Sequence, residues 1–171
     1  MGWVRGVSSE AVKGILSSGE RAPDFDLPAL IGGVKKRFPL REQLEKSHVV
    51  LAFYPLNWET KSARQLAAYQ AEREKLLPRA EVVGVSVDSI MNTTVWEREI
   101  GPFQFPLCSD FWPHGEVSRS YGVLRESGPL AGASERSVFV VRQDGRIVFS
   151  RLYGVEELPP LLDVLETLQK L

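Results

Sequence analysis

The stretch from residue 49 to residue 87 constrains the fold more than any other. Val49–Tyr54 and Val82–Val87 are short apolar runs rich in Val, Phe and Tyr. Between them lies Thr60–Leu77, charged but with Ala63, Leu66 and Ala67 at helical spacing. Runs this short and this uniformly apolar suit strands covered on both faces. A strand, a helix and a second strand in that order imply a parallel pair joined by a right-handed crossover. Ser137–Val141 and Ile147–Tyr153 flank Arg142-Gln143-Asp144-Gly145, whose Asp-Gly suits a tight hairpin turn. Asp88–Ile100 and Gly115–Tyr121 read as further helices. Leu161, Val164, Leu165, Leu168 and Leu171 form one apolar stripe after Pro159 and Pro160, the mark of a last amphipathic helix. This order predicts a three-layer α/β/α domain with a mixed central sheet that ends in an antiparallel pair.

The chain has 171 residues, enough for one domain with a sizeable core. That domain is expected over 18–171, behind an extension over 1–17 in which Ser8–Leu16 reads as a short separate helix. Lys and Arg number 21 against 22 Asp and Glu, a net charge of -1. Such a balance gives no bulk electrostatic reason to bind nucleic acid or an acidic membrane. Met1–Gly19 is broken by glycines and charges and lacks the apolar centre of a secretory leader. No run approaches the roughly 20 apolar residues of a membrane span. A soluble, cytoplasmic protein is the expectation. The one cysteine, Cys108, cannot make an internal disulfide, a paired redox motif or a thiolate zinc site. His48 and His114 are far apart, so neither a metal nor a cofactor is expected.

Particular motifs resemble the peroxiredoxins, the alkyl hydroperoxide reductase and thiol-specific antioxidant family. Gly19-Glu20-Arg21-Ala22-Pro23-Asp24-Phe25 resembles the opening motif of that family. Val50-Leu51-Ala52-Phe53-Tyr54-Pro55 resembles the strand that leads into its active-site loop, and Val82–Asp88 the strand after it. Phe105–Asp110, Tyr121-Gly122-Val123 and Arg136–Val141 followed by Asp144-Gly145 are similar to its later landmarks, the last bearing the family arginine. Phe111-Trp112-Pro113-His114-Gly115 is most similar to the one-cysteine branch of alkyl hydroperoxide reductase E type. The resemblance covers about residues 18 to 171 and implies a thioredoxin-like α/β fold with extra N-terminal elements. It also implies thiol-dependent reduction of hydroperoxides, with a hydroperoxide and a thiol reductant as partners, and a homodimer.

The family chemistry sits in Pro-x-x-x-Thr/Ser-x-x-Cys. The cysteine lies in the first turn of a helix, where free N–H groups and the helix dipole favour a thiolate. A nearby arginine favours it further. The thiolate attacks a peroxide oxygen and becomes a sulfenic acid. In this chain the motif reads Pro55-Leu56-Asn57-Trp58-Glu59-Thr60-Lys61-Ser62. Pro55 matches, Glu59 replaces the Thr/Ser, and Ser62 stands at the peroxidatic cysteine position. Arg136 matches the arginine, and Gln65 stands where the family usually carries glutamate. A serine hydroxyl stays protonated without an adjacent base and cannot climb the sulfur oxidation ladder. The family reaction is therefore expected to be absent or severely impaired. Ser62 has two possible origins, an introduced Cys→Ser change or natural divergence; the second change at Glu59 favours divergence.

Glu59 has a physical rationale. Without a thiolate, Arg136 keeps a buried charge, and an uncompensated buried charge costs about 3–5 kcal/mol. An Arg136–Glu59 salt bridge is predicted. The blander reading makes Glu59 a favourable first-turn charge behind an Asn57 cap. Two other functions compete with a disabled peroxidase: a small-ligand or protein-binding module built on Pro55, Glu59, Ser62 and Arg136, and an enzyme using Glu59 as acid or base. Cys108 reads as a small, inert core residue. His114 is expected to precede a helix and His48 to lie at the surface before a strand. Lys35-Lys36-Arg37 reads as a solvated strand edge, with Gly32-Gly33 as a turn before it. Trp58, Phe103 and Trp112 are candidates for a dimer interface or equally for core.

Overall fold

The computed structural model describes residues 14–171. The helix expected over Ser8–Leu16 lies outside them except for its last three residues, which are not helical. The elements run β1 (Asp26–Ile31), β2 (Val34–Pro39), α1 (Leu40–Leu44), β3 (His48–Phe53), α2 (Thr60–Leu76) and β4 (Ala80–Ser86). They continue with α3 (Ile90–Ile100), β5 (Leu107–Ser109), α4 (Glu116–Ser120), β6 (Ser137–Val141), β7 (Ile147–Leu152) and α5 (Leu161–Gln169).

Seven strands form one sheet in the order β2-β1-β5-β4-β3-β6-β7. The β3–α2–β4 unit is parallel, as its sequence implies, and β5 extends the parallel set. All other pairings are antiparallel, so the sheet is mixed. Alternation along β3 explains why that run is apolar throughout. Val49, Leu51 and Phe53 face one core with Leu40 and Leu44 of α1 and Val117 of α4. Val50 and Ala52, with Tyr54 just beyond the strand, face the other with Leu66, Tyr69 and Leu76 of α2, Trp96 of α3 and Val164 and Leu168 of α5. A strand sandwiched this way has no face on which a polar residue is tolerated without a partner.

β1, β2, β5 and the short α1 escape a search for apolar runs. β2 is an edge strand whose Lys35, Lys36 and Arg37 are exposed, as expected for that basic run. It turns back on β1 through Gly32 and Gly33, whose φ values of 57° and 76° suit a two-residue hairpin and disfavour residues with a Cβ. β5 has only three residues, too short to show a period. The stripe on α2 is rotated from the expected one. Ser62, Gln65, Leu66 and Tyr69 face inward, while Ala67 is exposed. At the far end of α5, Leu171 is exposed rather than part of the stripe.

Gly84 in β4 sets how closely α2 sits on the sheet. A Cβ there would meet Leu107 Cδ2 at 2.9 Å, Leu66 Cδ2 at 3.3 Å and Tyr54 Cε1 at 3.4 Å. Gly84→Ala is expected to destabilise by roughly 1–3 kcal/mol through overpacking. Urea titration should show the midpoint fall with an unchanged m-value.

Candidate active site

Strand register decides where Arg136 goes. Ser137 pairs with Phe53 on one side and with Leu152 on the other. Arg136 is thus one residue beyond the ladder, beside the point where the chain leaves β3. The Tyr153 N–H donates to the Arg136 carbonyl at 2.8 Å, which holds the end of β7 alongside. Ligand sites of open α/β sheets commonly form at such carboxyl ends of parallel strands.

The loop from β3 to α2 is tied down by Asn57. Its backbone N–H donates to Asp88 Oδ2 at 2.9 Å. Its side-chain amide donates to Asn92 Oδ1 and Thr93 Oγ1 and accepts from the Tyr54 hydroxyl at 3.0 Å. Trp58 follows with φ 66°, an uncommon conformation for a bulky residue. Its indole N–H donates to the same Asn92 Oδ1 at 3.0 Å. Asn57 is therefore an anchor to the start of α3 and not the cap of α2.

Glu59 itself is that cap. Its carboxylate accepts from the Lys61 N–H at 2.8 Å and the Ser62 N–H at 2.7 Å. These are orphan donors of the first turn, which an acidic group at this position satisfies and neutralises. Oε2 of Glu59 also accepts the Ser62 hydroxyl at 2.7 Å and Arg136 Nη2 at 2.8 Å. The predicted salt bridge is present, and it coexists with a capping role for Glu59 that neither sequence reading anticipated.

Arg136 is fully buried, with 0% of its surface exposed. A guanidinium has five N–H donors, and here each has an acceptor. Nε and Nη2 donate to the Val155 carbonyl at 3.1 and 2.9 Å. Nη1 donates to Gln65 Oε1 at 2.8 Å and, at 3.4 Å, to Ser62 Oγ. Nη2 completes the set through Glu59. Ser62 is also 0% exposed, and Glu59 is the cluster's outer member. Burial raises the Glu59 carboxyl pKa. The Ser62 hydroxyl, the Lys61 N–H, Arg136 and the Ser62 N–H together outweigh that and hold it below the usual range. Pro55 is buried at the start of the loop and contributes wall rather than polar chemistry.

The structure brings Glu59, Ser62 and Arg136 together and adds Gln65 and the Val155 carbonyl. It leaves Cys108 apart, in β5, where it pairs with Ala29 and Val85. Cys108 is wholly buried, and burial pushes its thiol pKa up, away from reactivity. His114 precedes α4 and stacks edge-on against Trp112 at 4.8 Å between ring centroids. His48 opens β3 partly buried rather than at the surface, and its Nδ1 accepts the Gln143 N–H at 3.0 Å. Of the three candidate interface aromatics, Phe103 is core at 4% exposed, packed on Phe105. Trp58 and Trp112 are 55% and 68% exposed. Among the described residues no three His, Cys, Asp or Glu side chains converge as a metal site, and no helix is long and apolar enough to cross a membrane.

Comparison with known proteins gives the family. Residues 18–150 match the model of the AhpC/TSA family. The chain belongs to that family. It is 34% identical over 146 residues to the alkyl hydroperoxide reductase E of Mycobacterium tuberculosis, covering 81% of this chain and 86% of the relative. It is 30% identical over 158 residues to a chloroplastic 2-cysteine peroxiredoxin of Chattonella marina, covering 88% and 78%. Its fold is similar to that of Mycobacterium tuberculosis AhpC, with a TM-score of 0.80 at 24% identity, covering 91% of this chain and 98% of that one. A reduced 2-Cys peroxiredoxin of Plasmodium vivax superposes with a TM-score of 0.82 at 22% identity, covering 90% and 81%. The thioredoxin-like α/β fold of the peroxiredoxins is thus the fold of this chain.

A carboxylate held below its usual pKa contributes stability above the unfolded pKa of about 4.3, and loses it as pH falls through the lower folded value. Replacing Glu59 with Gln should remove this contribution. Urea midpoints of the two proteins are expected to differ most near pH 7 and to converge by about pH 2. A constant gap across that range would contradict the assigned charge pairing.

Proposed function

We propose that this chain is a member of the peroxiredoxin family that has lost hydroperoxide reduction. The observation that carries this is the closed cluster of Glu59, Ser62 and Arg136. In the family reaction a thiolate attacks one oxygen of a hydroperoxide. The O–O bond breaks, the sulfur becomes a sulfenic acid and an alcohol or water leaves; a thiol reductant then restores the thiol. Ser62 offers no sulfur at the corresponding position. Its hydroxyl donates to Glu59, and every N–H of Arg136 is already engaged. Neither the nucleophile nor a free cationic donor for a peroxide is left.

Catalysis by Glu59 as acid or base has little support. A general base works best with its pKa near the working pH, whereas this carboxyl is held low by its donors. The small-ligand reading has no free group to offer from Ser62 or Arg136. The exposed Trp58 and Trp112 support a homodimer through the faces that carry them, and a cytoplasmic setting agrees with the lone reduced cysteine.

Hydroperoxide consumption with a dithiol should not exceed the protein-free rate, and Cys108→Ser should change nothing. Ser62→Cys alone should stay sluggish, because the Glu59 carboxylate beside the new sulfur disfavours a thiolate. Ser62→Cys with Glu59→Thr should react with hydroperoxide at least about tenfold faster than the single variant. Trapping of the sulfenic acid by a carbon nucleophile, followed by mass spectrometry, reads this directly. Turnover by the unaltered chain would overturn the proposal.

For the dimer, sedimentation velocity is expected to show one two-chain species. Trp58→Ser with Trp112→Ser should shift it toward single chains.

A further inference from the structure

We infer that Arg136, Ser62 and the first turn of α2 form a receptor for a free monocarboxylate, whose seat Glu59 occupies as a tethered ligand. The inference rests on the reading that Glu59 closes the site. Its ground is the set of donors around that carboxylate. Oε1 takes the Lys61 N–H; Oε2 takes the Ser62 N–H, the Ser62 hydroxyl and Arg136 Nη2, all at 2.7–2.8 Å. One oxygen with three donors and the other with one describe a planar carboxylate held in a fixed orientation. The helix terminus is only part of this seat. The guanidinium and the hydroxyl lie on fully buried side chains, and they point at the same oxygen.

The donors do not depend on the Glu59 side chain for their positions. Arg136 is also held by the Val155 carbonyl and by Gln65 Oε1, and its backbone by the Tyr153 N–H. The loop before the helix is held by Asn57, independently of residue 59. Deleting the side chain should leave the donors in place around a space of known shape. Glu59→Ala removes two carbons and the two oxygens, the outline of acetate. Glu59→Gly removes one carbon more, the outline of propionate. Both residues are compatible with the extended φ of -93° at this position.

The seat selects for charge and shape together. Chloride has one centre; seated where Oε2 sits it would meet the Ser62 N–H, the Ser62 hydroxyl and Arg136 but leave the Lys61 N–H without a partner. Phosphate and sulfate bring further oxygens for which the seat, with its four donors placed around two oxygens, holds no donor. A monocarboxylate presents the two oxygens the seat already holds.

The test is chemical rescue in the full-length chain. Thermal unfolding of Glu59→Ala is followed against sodium acetate, propionate, chloride and phosphate at constant ionic strength near pH 7. Acetate should raise the midpoint saturably, with half-saturation near 10 mM, so that 100 mM shifts the unfolding equilibrium about tenfold. Propionate should be weaker in the Ala variant and at least equal to acetate in the Gly variant. Chloride and phosphate should raise the midpoint less than acetate at every concentration, and the unaltered chain should show no carboxylate effect. If the Ala variant does not fold unaided, refolding yield in acetate against chloride gives the same readout.

Equal effects of acetate and chloride, or an acetate effect as large in the unaltered chain, would overturn the receptor. Failure here alongside a reactive Ser62→Cys, Glu59→Thr protein would leave the closed-site reading intact. Peroxide turnover by the unaltered chain alongside successful rescue would do the reverse.

Discussion

A guanidinium wholly removed from water must find an acceptor for each of its N–H groups and a counter-charge within reach. Arg136 imposes that demand at the end of β6, and much of the site is the answer to it. The Val155 carbonyl, the Gln65 amide oxygen and the Glu59 carboxylate are arranged around one flat cation. In a family that works through a thiolate, the catalytic sulfur would supply part of that negative charge. Here a carboxylate three residues upstream supplies it, drawn in from the same helix turn. Under the proposed reading, Ser62 and Glu59 amount to one change in where the negative charge resides.

The same demand explains a polar stripe inside an otherwise apolar interface. α2 packs Leu66 and Tyr69 on the sheet in the usual way, yet it also turns Ser62 and Gln65 inward. Gln65 can do so because the carbonyl end of its amide faces a cation. Ser62 can do so because its hydroxyl has Glu59 as acceptor. An apolar periodicity misses this register, since two of the five inward positions, Ser62 and Gln65, carry no apolar residue. That is why Ala67, which fits the pattern, is exposed.

Much of the architecture was legible from residue types because β3, β4 and β6 are buried on both faces and show it in continuous apolar runs. β1 and β5 were not, since one alternates weakly around Pro28 and the other is three residues long; β2 shows only as the solvated edge that carries Lys35-Lys36-Arg37. At the site, the resemblance of Pro55–Ser62 and of the strand bearing Arg136 to the peroxiredoxin motifs identified the frame, and the need to pair a buried charge identified Glu59. The Val155 acceptor had no signature, because any residue carries a carbonyl and only strand register brings that one within reach. The blander reading's Asn57 cap fails for a related reason. A side chain suited to capping is equally suited to bridging, and which it does depends on where α3 begins. Phe103 shows the limit for aromatics, whose residue type alone does not separate core from surface.

Asn57 has a dynamic consequence. It binds four partners spread over the end of β3, the turn after β4 and the first turn of α3. Moving the loop therefore requires breaking contacts in three elements at once. Opening becomes a cooperative, subglobal event instead of local fraying, and its free energy lies well above that of an ordinary surface loop. The loop that leads to Glu59 is thus tied mechanically to α3.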